Sequence, residues 1–178
     1  NKVININGNI FGDWDELEEY ELEALRTDRN NNLPVNLDRT QIHYYLESGL
    51  HPDTEMCLED GRSIPIKDIE VNDVLLFGEE VKTIIVVKTD DINGHDSLFY
   101  DGEYILSCTK NTEVYVDSLG SQELLTREHC EEFELAYHLI TNKGGFRTKG
   151  VIIGDYNRGI ERYLSEEHFN KHTSTDQF

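Results

Sequence analysis

Residues 51–76 read HPDTEMCLEDGRSIPIKDIEVNDVLL, and their pattern decides the fold class. TEMCL, SIPI and DVLLF are short β-prone runs, the first two separated by an Asp60-Gly61 turn. The intervening RSIPIKDIEVND predicts a turn or a short 3-10 segment. Cys57 lies inside the first run, alternating with Met56 and Leu58. Free cysteine packs as a small hydrophobe, so Cys57 reads as a strand residue and not as a nucleophile.

The same texture continues downstream. VKTIIVVKT, SLFY, YILSCT, TEVYV, YHLI, GFRT and KGVII follow one another, punctuated by Asn93-Gly94, Asp101-Gly102 and Gly144-Gly145. Many short strands with turn signals and no alternating helices predict a mainly β domain, not a parallel α/β sheet. Upstream, VINI and NIF flank Asn7-Gly8, a pair suited to the positive φ angles of a tight hairpin turn. Then DWDELEEYELEALR offers Asp13 as a helix cap with Glu16 three residues on, and DRTQIHYYLESG offers Asp38 as cap and Gly49 as stop. DYNRGIERYLSEEHF suggests a closing helix with Ile160, Tyr163 and Leu164 inward, before a polar tail. The organisation expected is a hairpin and two helices over 1–50, a β domain over 51–156, and a helix and tail over 157–178.

Of the 178 residues, 37% are hydrophobic, enough for a packed core. The 36 acidic residues outnumber 16 basic ones, for a net charge of −20. Phosphate backbones and anionic lipids are repelled by such a surface, which argues against nucleic acid and membranes as partners. No run approaches the roughly 18 apolar residues of a membrane helix, and the first apolar run, VINI, is too short for a signal peptide. The first residue is Asn1, not Met, which suggests a processed start or a piece of something longer. Cys57, Cys108 and Cys130 are widely spaced and show no ligand pattern, so neither disulfides nor zinc are expected and a reducing compartment fits.

Three blocks, in order, resemble the Hint domains shared by inteins and hedgehog autoprocessing proteins. In the first, Thr54, Asp60, Gly61, Ile66, Ile69, Asp73 and Val74 are in register with the family pattern, with Asn72 where glycine is usual. YILSCTKNTEVYV (104–116) is similar to the block in which a TxxH motif precedes a strand. YHLITNKGGFRTKGVIIGD (137–155) is similar to the closing block that ends in a His-Asn pair. The resemblance implies a horseshoe-shaped all-β unit. It also implies chemistry that begins with an acyl shift at a Cys or Ser, activated by the Thr and His of TxxH. In inteins the closing Asn then cyclises, and a Cys, Ser or Thr follows as acceptor.

This sequence departs from the pattern at each reacting position. The nucleophile falls at or next to Gly49, and Ser48, one residue out of place, is the only hydroxyl nearby. TxxH reads Thr109-Lys110-Asn111-Thr112, so the histidine is a threonine. The closing pair reads Gly154-Asp155, followed by Tyr156. Glycine has no atom for an acyl shift, and a threonine hydroxyl cannot replace imidazole as a proton donor near neutral pH.

The expectation is therefore a Hint-like module that does not splice, with no catalytic residues, cofactor or metal. The N-terminal FGDWDELEEYELEALR and IHYYLESGL resemble the additions on intein-like domains in proteins of aquatic bacteriophages and other large DNA viruses. That implies a virion structural protein, made in the host cytoplasm, whose partners are other protein subunits and whose oligomeric state follows from the assembly. The alternative is an autoprocessing domain that cleaves near Ser48 and Gly49 or at Asp155, since an aspartate can cyclise onto its own peptide bond. Elsewhere, Cys108 reads as an inward strand residue, His129-Cys130 as part of a charged loop TREHCEEFE, and His138 as a surface or satisfied core histidine. TDDINGHD lacks the glycine and distal glutamate of a calcium loop and reads as a solvated turn.

Overall fold

The computed structural model describes residues 4–6, 9–11, 48–89, 94–117 and 119–156. The helices expected over 13–26, 38–49 and 155–169 fall wholly or mostly outside these residues, as does the 90–93 part of the TDDINGHD turn. The strands are β1 (Ile4–Ile6), β2 (Asn9–Phe11), β3 (Glu55–Cys57), β4 (Ser63–Pro65), β5 (Val81–Lys88) and β6 (His95–Tyr100), continuing with β7 (Glu103–Thr109), β8 (Val114–Val116), β9 (Leu125–His129), β10 (Leu135–Thr141), β11 (Gly145–Thr148) and β12 (Val151–Gly154). The protein is mainly β, with several antiparallel sheets, as its sequence predicts.

β1 and β2 form the expected hairpin, pairing Ile4 with Phe11 and Ile6 with Asn9. β1 then pairs with β5, giving the order β10-β5-β1-β2. A second group runs β7-β6-β9. Residues 49–51 join the two groups. Leu50 exchanges backbone bonds with Tyr137 on β10, at 2.8 and 2.9 Å. On the other side Thr109 N–H donates to Gly49 O and His51 N–H to Ser107 O, both on β7. The inbound segment is thus wedged between β7 and β10, bridging both through Leu50. Smaller sheets, β11-β12-β8 and β3-β4, pack against this arrangement.

Hydrophobic alternation places the core. Met56, Leu58, Ile66, Leu75, Val81, Leu98, Leu106, Leu139, Phe146 and Ile153 form one buried cluster around Leu50. Met56 points inward while its neighbours Glu55 and Cys57 are more exposed, the period of two that a half-buried strand requires.

Several local expectations are corrected. DVLLF is not a strand: only Val74 and Leu75 make isolated bridges, and the chain then turns at Leu76 and Phe77. The turn forms because Glu79 accepts Phe77 N–H with its carboxylate at 2.9 Å while Gly78 N–H donates to Leu75 O. TREHCEEFE is not all loop: β9 pairs in full register with β6. It is an edge strand with mostly exposed side chains, so it shows none of the apolar alternation that marks a strand. Lys149 and Gly150, read as the start of a strand, are instead the β11–β12 turn, both at positive φ (48° and 84°). Ile66–Asp68 is the expected 3-10 turn.

Candidate functional site

The wedged segment brings Gly49 to the turn that follows β7. A Cβ built on Gly49 would lie 2.9 Å from the Ala136 Cβ and 3.0 Å from Tyr137 O, so the backbone approaches β10 more closely than any side chain permits. Glycine is therefore required here by packing. The Gly49 N–H, turned toward the following turn, donates to Thr112 Oγ1 at 3.0 Å. Gly49 O accepts from Thr109 N–H at 3.0 Å and lies 3.3 Å from Thr112 Oγ1.

Thr109 and Thr112 are both buried, and their hydroxyls lie 2.9 Å apart. Thr109 Oγ1 donates to Asn111 Oδ1 at 2.6 Å. Arg127 on β9 holds the same turn from outside: Nη1 donates to Lys110 O at 3.0 Å and Nη2 to Thr112 O at 2.7 Å. Its charge faces buried Asp96 on β6 at 3.6 Å. Sequence reasoning missed Arg127, Asp96 and Asn111, because strand pairing alone brings Arg127 to a turn some fifteen residues earlier.

The outbound end of β12 meets the same turn. Gly154 N–H donates to Glu113 O at 2.9 Å, next to the Thr112 that holds Gly49. Asp155 is buried; its N–H donates to Gly144 O, and its Oδ2 accepts Thr141 N–H at 3.1 Å. The structure thus brings Gly49, Thr109, Thr112 and Gly154 to one turn and anchors Asp155 beside it. Ser48 is buried at the same junction.

Chemically this cluster is a set of hydroxyls, amides and carbonyls with the Asp155 carboxylate beside it. Position 49 has no side-chain atom, and the buried His95 imidazole, paired opposite Thr109 on β6, places its Nε2 3.0 Å from Thr89 Oγ1. His138 is not at the surface. It is fully buried on β10 between the Phe146 and Tyr156 rings, with centroids at 5.8 and 5.6 Å, and its Nδ1 accepts Leu139 N–H. Burial in this apolar setting pushes its pKa down to about 3, so it is neutral near neutral pH. Burial pushes the Cys108 thiol up to about 12, which leaves it unreactive. Cys57 and Cys130 are partly buried free thiols, and His129 is exposed on the edge strand. Among the described residues, no three His, Cys, Asp or Glu side chains are grouped to hold a metal, and no helix is long and apolar enough to cross a membrane.

No protein-family model matches the chain, and no curated protein matches it in sequence.

Proposed function

We propose that this chain is a Hint-type module retired from autoprocessing, serving as a structural and interaction domain of a larger virion protein. One observation carries the reading. Three separated blocks, around residues 49, 109–112 and 154, converge on one turn through Gly49 N–H to Thr112 Oγ1 and Gly154 N–H to Glu113 O. Those are the positions at which the resemblance places nucleophile, activating motif and closing pair. Of the groups the resemblance implies, the nucleophile, the motif histidine and the closing asparagine are replaced, leaving the Thr109 hydroxyl and Asp155, and the hydrogen bonds that would align a scissile bond tie two distant segments together. A horseshoe-shaped Hint unit with two related halves accords with the wedged 49–51 segment joining two strand groups.

The charge of −20 supports a role among proteins and not on packaged nucleic acid. The module's partners are then other subunits of the assembly, with no cofactor needed. The test is intact-mass spectrometry of the freshly made parent protein, incubated with a thiol and at mildly acidic and basic pH. A single unchanged mass is expected. Fragments ending near Gly49 or Asp155 would overturn the reading in favour of an autoprocessing domain, and Ser48 and Asp155 would then be the first residues to mutate.

A further inference from the structure

Every lysine and arginine among the described residues has a carboxylate within ion-pair distance except Lys110, Lys143 and Arg147. Lys143 and Arg147 share one place, an open cleft of about 400 Å³ beside Phe77. On a chain this acidic, two unpaired cations in one cleft are an unusual local excess of positive charge.

The cleft is also apolar where it faces solvent. Phe77 is 55% exposed, and the Arg147 guanidinium sits 5.1 Å over its ring, which fixes both side chains without neutralising the charge. Lys143 Nζ donates to Phe77 O at 2.9 Å, so it too is held in place. Glu79 lies beneath, but its two oxygens are taken by the backbone N–H groups of Phe77 and Arg147, and the side chain is buried. Arg147 pairs across β12 with Ile152, and Ile152 pairs with Tyr115 on β8. Directly opposed residues share a sheet face, so a stripe runs from exposed Phe77 through exposed Arg147 and half-buried Ile152 to exposed Tyr115. A rigid aromatic, an arginine and an aliphatic floor form the composition of an interface centre, not of a solvated face.

We infer that this stripe is a docking surface for an acidic segment of another protein subunit, one that places carboxylates on Lys143 and Arg147 and an apolar side chain between Phe77 and Ile152. The inference rests on reading the chain as an interaction module. Charge complementarity selects the partner: a basic segment would be drawn to the acidic remainder of the surface, whereas an acidic one is repelled everywhere except at such a place.

The test uses the full chain and a short fluorescent peptide alternating glutamate with leucine, read by anisotropy. The glutamate–leucine peptide is expected to bind saturably, more weakly as salt is raised, and about fivefold more weakly to K143Q/R147Q. F77A is expected to weaken it about as much. The charge-reversed K143E/R147E should lose that peptide while keeping the parent's urea midpoint and near-ultraviolet circular dichroism, which separates lost charge from a damaged fold. Binding of the glutamate–leucine peptide that is undetectable, or unchanged in K143E/R147E, overturns the proposal. Self-association of the chain that K143E/R147E abolishes would make the occupant a second copy and also overturn it. Intact mass of the same samples reports separately on the loss of autoprocessing, so either reading can fail alone.

Discussion

Gly49 N–H donates to the hydroxyl of Thr112, 63 residues later, at 3.0 Å in a fully buried setting. With Thr109 N–H on Gly49 O, this bond joins the segment leading into the β domain to the turn after β7, and Glu113, the next residue, holds the end of β12. Two distant stretches of chain are therefore gathered on neighbouring residues. The bond acts as a clasp between them.

Replacing Thr112 by valine keeps the shape and removes the oxygen. The buried Gly49 N–H then loses its acceptor, and an unsatisfied buried donor costs about 1–3 kcal/mol. T112V is expected to lower the urea midpoint accordingly and to speed amide exchange at Gly49, while T112S stays near the parent. Equal stability of T112V and T112S would show that the bond contributes nothing.

Gly49→Ala addresses packing at the same point. The new methyl meets the Ala136 Cβ at 2.9 Å and Tyr137 O at 3.0 Å, and backbone cannot yield cheaply. The wedged segment must move away from β10, weakening the Leu50–Tyr137 pair. A loss of about 1–3 kcal/mol is expected by chemical denaturation. The same clash means that G49C, which puts a thiol where the Hint resemblance would place a nucleophile, is expected to yield no cleavage product on incubation with thiol, read by intact mass.

Arg127 spans a carboxylate on β6 and two carbonyls of the 109–112 turn. R127A removes charge-assisted bonds and leaves Asp96, whose side chain is 7% exposed, without its cation. A destabilisation of about 2 kcal/mol is expected. D96N in the R127A background should recover part of it, since the stranded charge is gone. A double-mutant cycle showing strict additivity would sink the coupling.

The β character was legible because strands announce themselves by alternation and by Asp-Gly and Asn-Gly turns, as at Met56 and at Asp101-Gly102. Strand β9 was not, because an exposed edge strand such as LTREH buries no alternating face. DVLLF misled in the opposite sense: its apolar residues serve an isolated bridge and a turn, held by a carboxylate from Glu79 that no local pattern announces. Of the site, Gly49, Thr109 and Thr112 were singled out only by the resemblance to Hint blocks. Arg127 and Asp96 were not, since only sheet register brings them there. His138 was open between surface and core because strand β10 buries nearly every residue from Ala136 onward and so shows no two-residue period.

The three thiols should separate by reactivity. Burial raises Cys108 to about 12, so at pH 8 about one molecule in ten thousand carries the thiolate, inside a closed core. Cys57 and Cys130 are partly accessible. A thiol-reactive reagent on the native chain, mapped by peptide mass, is expected to label Cys57 and Cys130 and to reach Cys108 only after denaturation. Prompt native labelling of Cys108 would contradict its placement between β6 and the core.

His138 makes stability depend on pH in a defined window. Its ordinary pKa of 6.5 applies to the unfolded chain, whereas burial lowers it to about 3 in the folded one. Above 6.5 both states are neutral at this residue and its contribution is complete. Between 6.5 and 3 the unfolded chain takes up a proton that the folded chain refuses, so stability falls as pH falls, approaching about 1.4 kcal/mol per pH unit. Acidic side chains add their own dependence, so the comparison is with H138Q, which cannot titrate. Any fixed cost of the glutamine is the same at every pH and drops out. From pH 7 to pH 5, urea denaturation is expected to show the parent losing about 2 kcal/mol more than H138Q. Equal losses would mean that His138 takes a proton in the folded protein, and its burial between Phe146 and Tyr156 would have to be abandoned.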